Sequence, residues 1–581
     1  MPTKLSRAAF FACLSAFALV VIIFSGVFYT KLAAVYGPAV ALALQQLVPI
    51  VLVVIFFVAL RKYFFPLPLT KTDWLLIGII LIAATASHAL YLTHYFFKED
   101  IAIEIAAAQS PFANVFPVSA SRLYPLSLFS VLYWIVGANA SAFALVGFLF
   151  HLINTALFYI LIQGVSQRRI VTVGAALIWA SSPAFLESFA WLGVGVGSGL
   201  AILLALVVLL LFNWAIQKDP PPQHILIFLS VAVLAVINAG FVRTGILPFL
   251  LPLIIWIKTL TAPDLKGMFW PLVKRFWLPI TVGVVAVLYL LLPTISLGNG
   301  ANVLGNRPLT SSVFITTFFT ITAALFPPAL QEFFTTQSAA VDGALKTTPW
   351  YAFHLIILGE IFLPLAIIAL CRDKIVRAIG IFGWLWFMAS LIPMVMGGGA
   401  QDNYMDVYRS TLKFPYLPGL KQIQFAYFGY ALALSATLYT IFMFPKAKMR
   451  TAAFTIAIAT VTGLFAFASW RFHAEFAAYY SQPLRELIKM IDARAPKRDE
   501  YLLVVAPHGS PVNSFLSGGD ELHYITKPQN VLYARDPKDA EVLIQTYGVR
   551  DENVLHIEYD PPTGLIWPVP LRSAGFQPKS D

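Results

Sequence analysis

Glu99 and Asp100 stand side by side directly behind an apolar run and next to Lys98. Carboxylates near a bilayer are expensive unless they are solvated, paired or used. They are also scarce here, since residues 1–470 hold 13 of the chain's 28 Asp and Glu. A carboxylate at this place can take the proton of an attacking hydroxyl. Arginine and lysine can neutralise a phosphate as it leaves. Arg122, Arg243, Arg409 and Lys413 fall in or beside long loops on the same side as the acidic pair, by the topology given below. These parts suit transfer of a sugar from a polyprenyl phosphate, whose phosphate lies at the level of the lipid headgroups.

The elements that must position these residues are membrane helices. The chain has 581 residues, is 59% hydrophobic and 12% charged, and has a mean hydropathy of +0.79. That composition excludes a soluble globular protein. Apolar runs predict thirteen spans at about 8–30, 38–60, 74–94, 139–163, 170–188, 194–215, 224–241, 245–257, 277–294, 351–370, 376–396, 425–444 and 451–469. The first run has no small-residue cleavage site and reads as a retained helix. Cys13 and Cys371 suggest no disulfide, and no Cys/His metal spacing appears. Carboxylate-rich sites can hold Mg or Mn, so a divalent metal stays open, but no ligand set is legible.

The net charge of +11 splits into +14 over residues 1–470 (27 basic, 13 acidic) and −3 over 471–581 (12 basic, 15 acidic). With Lys4 and Arg7 in the cytoplasm, 18 of those 27 basic residues fall in cytoplasmic connections. The basic excess therefore reflects topology, and no nucleic-acid motif accompanies it. The segment 311–328, ended by Pro327-Pro328, reads as re-entrant or interfacial. On this topology the outer side carries the loop 96–138, the turn 183–197 with Glu187 and Trp191, the stretch 238–248 with Arg243, and the loops 295–350 and 397–424. The acids then gather on that one face, Glu360 excepted. Residues 471–581 also lie outside, beginning with an amphipathic helix. Strands are predicted at 501–507, 530–536 and 553–560, with a helix over 539–547, which makes a small α/β domain.

The order of several pieces resembles the GT-C superfamily of polyprenyl-phosphate-sugar-dependent glycosyltransferases, nearest to protein O-mannosyltransferase-like bacterial enzymes. The pieces are Glu99-Asp100, RLYPLS at 122–127 with Arg122, Tyr124 and Pro125, the helix face His151/Asn154, the turn Ser182/Pro183/Glu187/Trp191, and FVRTGILP at 241–248. The likeness covers about 90–260. It weakens near 409–419, where this chain has KFPYLPGL. The resemblance implies that Asp100, with Glu99, is the catalytic base, and that Arg122, Arg243, Arg409 or Lys413 binds the donor phosphate. It places His151, Glu187, Trp191 and Tyr124 at the substrate and implies inversion at the anomeric carbon. The chain departs from the family in three ways. The acidic pair follows the third span rather than the first, its order is Glu-Asp, and Ser182 replaces a histidine before Pro183.

The expected architecture is an all-α polytopic membrane protein of about thirteen helices with a small α/β domain. It divides into an N-terminal hairpin (1–72), a GT-C-like membrane domain (73–470) and an extracytoplasmic domain (471–581). The expected setting is a plasma membrane, with the N-terminus cytoplasmic and the C-terminal domain outside. The expected partners are the bilayer, a polyprenyl-phosphate sugar and a protein, glycan or lipid acceptor. Plainer readings stand beside these roles. Glu99 and Asp100 can be solvated at a helix end, and Arg243 can snorkel to headgroups. His151, among Phe148, Phe150 and Phe158, can be a hydrogen-bonder in helix packing. Two rival classes are a transporter or flippase of a lipid-linked saccharide and a non-catalytic scaffold of GT-C ancestry.

Overall fold

The computed structural model describes residues 69–96, 132–133, 135–183, 186, 189, 192–217, 223–296, 358–359, 362–396, 420–442, 447–494, 500–505, 530–534, 537–559 and 566–569. The molecule is mostly helical. In chain order the helices are α1 (Lys71–His88), α2 (Ala140–Ser166), α3 (Arg169–Ser181), α4 (Leu192–Ile216), α5 (Gln223–Thr244), α6 (Leu247–Thr261), α7 (Phe269–Arg275), α8 (Trp277–Ser296), α9 (Lys374–Met396), α10 (Leu420–Phe442), α11 (Ala447–Phe476), α12 (Gln482–Ala493) and α13 (Pro537–Tyr547). A 3-10 turn, Ala89–Thr93, extends α1, and a π-turn, Ala477–Ser481, joins α11 to α12.

Six helices among the described residues are long and apolar enough to cross a membrane, or seven if the bent pair α7–α8 forms one span. The thirteen expected spans are not all reproduced. α3 and α6 have 13 and 15 residues, about 20 Å of helix at 1.5 Å per residue, short of a hydrocarbon core about 30 Å thick. The expected spans at 8–30 and 38–60 and the segment 311–328 lie outside the described residues. The last span is longer than expected: α11 runs 30 residues, through the anticipated domain junction at 470. Trp74 and Ile82 of α1 and Ile456, Leu464 and Phe467 of α11 are exposed. A continuous apolar surface of this kind suits lipid contact, and α4, by contrast, is sheathed by its neighbours.

Helix packing inside the bundle depends on small residues. A Cβ added at Gly383 of α9 would lie 2.7 Å from the Gly429 carbonyl oxygen of α10. One added at Gly429 would lie 2.5 Å from the Gly383 carbonyl oxygen. The two backbones therefore touch, as small residues permit between membrane helices. Trp386 of α9 and Trp179 of α3 are fully buried and both pack against Phe428, with the Trp179 and Phe428 rings stacked at 3.6 Å.

The C-terminal domain has a four-stranded sheet in the order β2 (Val531–Ala534), β1 (Leu502–Val505), β3 (Val554–Tyr559), β4 (Ile566–Val569). β1 is parallel to β2 and β3, and β4 is antiparallel to β3. The three expected strands are present and α13 lies between β2 and β3. β4 was not expected from the sequence. It contains Pro568, which an edge strand tolerates and which breaks the pattern used to find strands. Arg494 Nη1 at the end of α12 donates to the Val554 carbonyl (3.0 Å), tying this domain to the helix that leaves the membrane bundle.

Candidate functional site

The bundle places its polar groups at two ends. At one end Thr70 and Asp73 form a capping box on α1. Asp73, 2% exposed, accepts from the Tyr159 hydroxyl (2.8 Å) and Arg169 Nε (3.0 Å), which belong to α2 and α3. Beside it Arg168 pairs with Asp373 (3.2 Å), whose Oδ1 also accepts from the Ile375 N–H (2.9 Å) at the start of α9. Lys258 of α6, 2% exposed, donates from Nζ to the Gly164 carbonyl (2.5 Å). This arrangement corrects the expectation that the acids share one face with Glu99 and Asp100. The described acids of the membrane part, Asp73, Asp264 and Asp373, all lie at the opposite, basic end. Arg168 and Arg169 had been placed in cytoplasmic connections as topology markers, whereas Arg169, with Thr70 and Tyr159, holds a buried Asp73.

The other end is built from neutral rings. His88 ends α1, His94 follows the 3-10 turn and His473 lies near the end of α11. All three are fully buried. His88 Nδ1 is 3.0 Å from His473 Nε2, His473 Nδ1 is 3.1 Å from His94 Nε2, and His94 Nδ1 is 3.0 Å from the Phe189 carbonyl. His151 of α2 packs edge-on against His88 at 5.0 Å, and its Nε2 lies 3.2 Å from the Ala180 carbonyl of α3. Tyr91 stacks on Phe189 at 4.3 Å. Five separate stretches of chain thus meet at these rings. The rings bond in series and do not converge on one point, and among the described residues no group of His, Cys, Asp or Glu could hold a metal ion.

Immediately beyond His94 is an open cleft of about 420 Å³, lined by Tyr95, Asn139, Ala140, Ser141 and Arg485 among others. Asn139 caps α2, its Oδ1 accepting from the Ala142 N–H (3.2 Å). The positive end of a 27-residue helix therefore faces the cleft. Arg485 of α12 donates from Nη2 to the His94 carbonyl (3.0 Å), and its guanidinium carbon lies 5.4 Å from the centre of the Tyr95 ring. The Tyr95 N–H donates to Ser481 Oγ (3.1 Å) in the π-turn. Burial pushes the Tyr95 hydroxyl up to about 12, with Asp492 adding to the rise and Arg485 opposing it. It is a neutral donor at any ordinary pH. An arginine, a phenol and a helix N-terminus around one opening suit an anion.

Of the residues singled out from sequence, His151 is described and joins the ring cluster, with Asn154 on the same helix donating from Nδ2 to the Gly199 carbonyl (2.9 Å). Glu99, Asp100, Arg122, Tyr124, Glu187, Trp191, Arg409 and Lys413 lie outside the described residues, as does Glu360. Arg243 lies near the end of α5, and its side chain is outside the described set. Phe189, flanked in sequence by Glu187 and Trp191, and Tyr95, shortly before Glu99, belong to this same end. Sequence reasoning missed His88, His94, His473 and Arg485. The pair His88/His94 at six-residue spacing was the available signal, but His473 enters from 379 residues away. Neither a protein-family model nor a curated protein sequence matches the chain.

Proposed function

We propose that the protein is an integral-membrane glycosyltransferase that moves a sugar from a polyprenyl-phosphate donor to an acceptor at the histidine-lined end of the bundle. The observation that carries this reading is the cleft beside Tyr95. It opens where the chain leaves α1 toward Glu99 and Asp100, and it pairs Arg485 with the N-terminus of α2. Phosphate is the anion that such a set accommodates at headgroup level. The resemblance in sequence supplies the donor class and the role of the acidic pair. Asp100, assisted by Glu99, would take the acceptor proton while Arg485, with Arg122 and Arg243, stabilises the leaving phosphate. In this reading Arg409 or Lys413 also contacts the donor phosphate, and Tyr124, Glu187, Trp191 and His151 shape the substrate site.

The positive-inside rule orients the molecule. Lys71, Arg168, Arg169, Lys266, Lys274, Arg275, Lys374 and Arg450 all belong to the end opposite the cleft, so that end faces the cytoplasm. The cleft and the C-terminal domain then face outward in a plasma membrane. A transporter of lipid-linked saccharide would place charge along the middle of the bundle. Among the described residues the ionised groups lie at its two ends instead.

The test is purified protein given polyprenyl-phosphate sugars, with Asp100→Asn, Glu99→Gln and Arg485→Ala beside the wild type. Transfer that falls by about a hundredfold or more in Asp100→Asn is expected for loss of a general base. Transfer indifferent to both acidic substitutions would remove the mechanism.

A further inference from the structure

We propose that the His88–His473–His94 chain is a proton-sensitive clasp that holds the exit of α1, and with it the segment leading to Glu99 and Asp100, against α11 and Phe189. The positioning residue is His473, which acts through His94. The consequence for catalysis rests on the transferase reading, whereas the clasp itself rests on ring geometry.

The direction of the chain follows from one acceptor. The Phe189 carbonyl can only accept, so His94 Nδ1 carries a hydrogen. In the neutral ring His94 Nε2 is then an acceptor, which His473 Nδ1 fills. His473 Nε2 accepts in turn from His88 Nδ1. Three neutral imidazoles therefore point their N–H groups one way and tie together α1, the residue after the 3-10 turn, α11 and residue 189.

One added proton can be accommodated without losing a link. If His473 carries it, both its nitrogens donate, and His88 receives through Nδ1 after changing tautomer. A second added proton has no such solution. Two N–H groups would then face each other across about 3 Å, and one link must open. Among the described residues, the titratable or charged side chains against the rings are His151 from α2, Tyr91 from the 3-10 turn, Arg485 from α12 and Tyr95. α3 brings the Ala180 carbonyl. On α11, Arg471 and Glu475, two residues either side of His473, pair with each other (2.7 Å), and Asp492 of α12 acts on Tyr95. Each side chain in contact with the rings is neutral or positive, and the Glu475 carboxylate is already matched by Arg471, so none of them compensates an added positive charge. Acid therefore loosens the end of α1, and neutral pH closes it.

The experiment measures hydrogen exchange of the full-length protein in lipid nanodiscs at about pH 7.5 and about pH 4.5, corrected for intrinsic exchange rates. In the wild type the amides of 92–96 and 189 should lose about tenfold or more of their protection on acidification, as expected for one or two opened buried hydrogen bonds. His473→Phe fills the same space without bonding. It should show that loss already at neutral pH and respond to pH no further. His94→Asn keeps a donor near the Nδ1 position for the Phe189 carbonyl but places no acceptor at the Nε2 position that His473 meets. It should give intermediate protection and a flattened pH response. Wild-type protection that is equal at both pH values overturns the proposal, as does a His473→Phe protein that keeps the wild-type protection and pH response. If His473→Phe fails to fold, the wild type and His94→Asn decide. Because no sugar transfer is read, failure of the transferase reading leaves this outcome intact. Transfer by a protein whose exchange ignores pH would sink the clasp alone.

Discussion

The two ends of the bundle solve the same problem in opposite ways. At the basic end, polar groups are satisfied by full charges: Asp73 is held by Thr70, Tyr159 and Arg169, and Arg168 by Asp373. At the other end three histidines satisfy one another and a carbonyl. A buried carboxylate with several donors is a fixed joint, costly to disturb, because each donor is left unpaired when it goes. A chain of imidazoles can be rearranged by a proton at neutral cost to its geometry. The fixed joint suits the end that anchors the helices. The adjustable one lies where the chain leads to the acidic pair.

The sharpest way to break this contrast is Asp73→Ala. It strips the acceptor from a buried tyrosine hydroxyl, an arginine and a helix cap, and should cost about 3 kcal/mol. Unfolding of the detergent-solubilised protein measures it. The same method applied to His473→Phe at neutral pH should register a loss of only about 1–2 kcal/mol, because neutral hydrogen bonds are exchanged for apolar packing. A larger loss for His473→Phe than for Asp73→Ala would reverse the assignment of joint and clasp.

Sequence made some of this legible and left the rest hidden for physical reasons. Long apolar helices announce themselves by length and composition, so α1, α2, α4, α9, α10 and α11 were all expected. α3 was expected as part of a span over 170–188, and α6 as a span over 245–257 that is itself only 13 residues long; both are apolar but short as helices. Thr70-x-x-Asp73 is a helix-start signal readable in the sequence, yet its partner Arg169 is 96 residues away and only packing reveals the pair. His88 and His151 each look like an isolated polar residue in an apolar run, and His473 stands between Arg471 and Glu475. Their meeting depends on α1 packing against both α2 and α11. Arg485 sits in an amphipathic helix of the tail, where a charged residue ordinarily means a solvated face. Of the four histidines at this end, only His151 is among the residues that carry the GT-C resemblance.

A smaller effect tests whether charge pairing matters wherever it occurs at the basic end. Arg168→Ala removes a pair whose side chains are 42% and 26% exposed. It should change stability by about 0.5 kcal/mol or less, since exposed pairs are screened. A loss comparable to that of Asp73→Ala would mean that the whole basic end, rather than the Asp73 joint, holds the helices.

The most direct measurement compares the two ends in one assay. Sugar transfer from a polyprenyl-phosphate donor is followed for the wild type, Asp100→Asn, Arg485→Ala and, from the opposite end, Arg168→Ala. The expected result is near-complete loss in Asp100→Asn, a marked loss in Arg485→Ala and wild-type transfer in Arg168→Ala. Transfer that survives Asp100→Asn and Arg485→Ala undiminished would contradict the placement of the reaction at the histidine end.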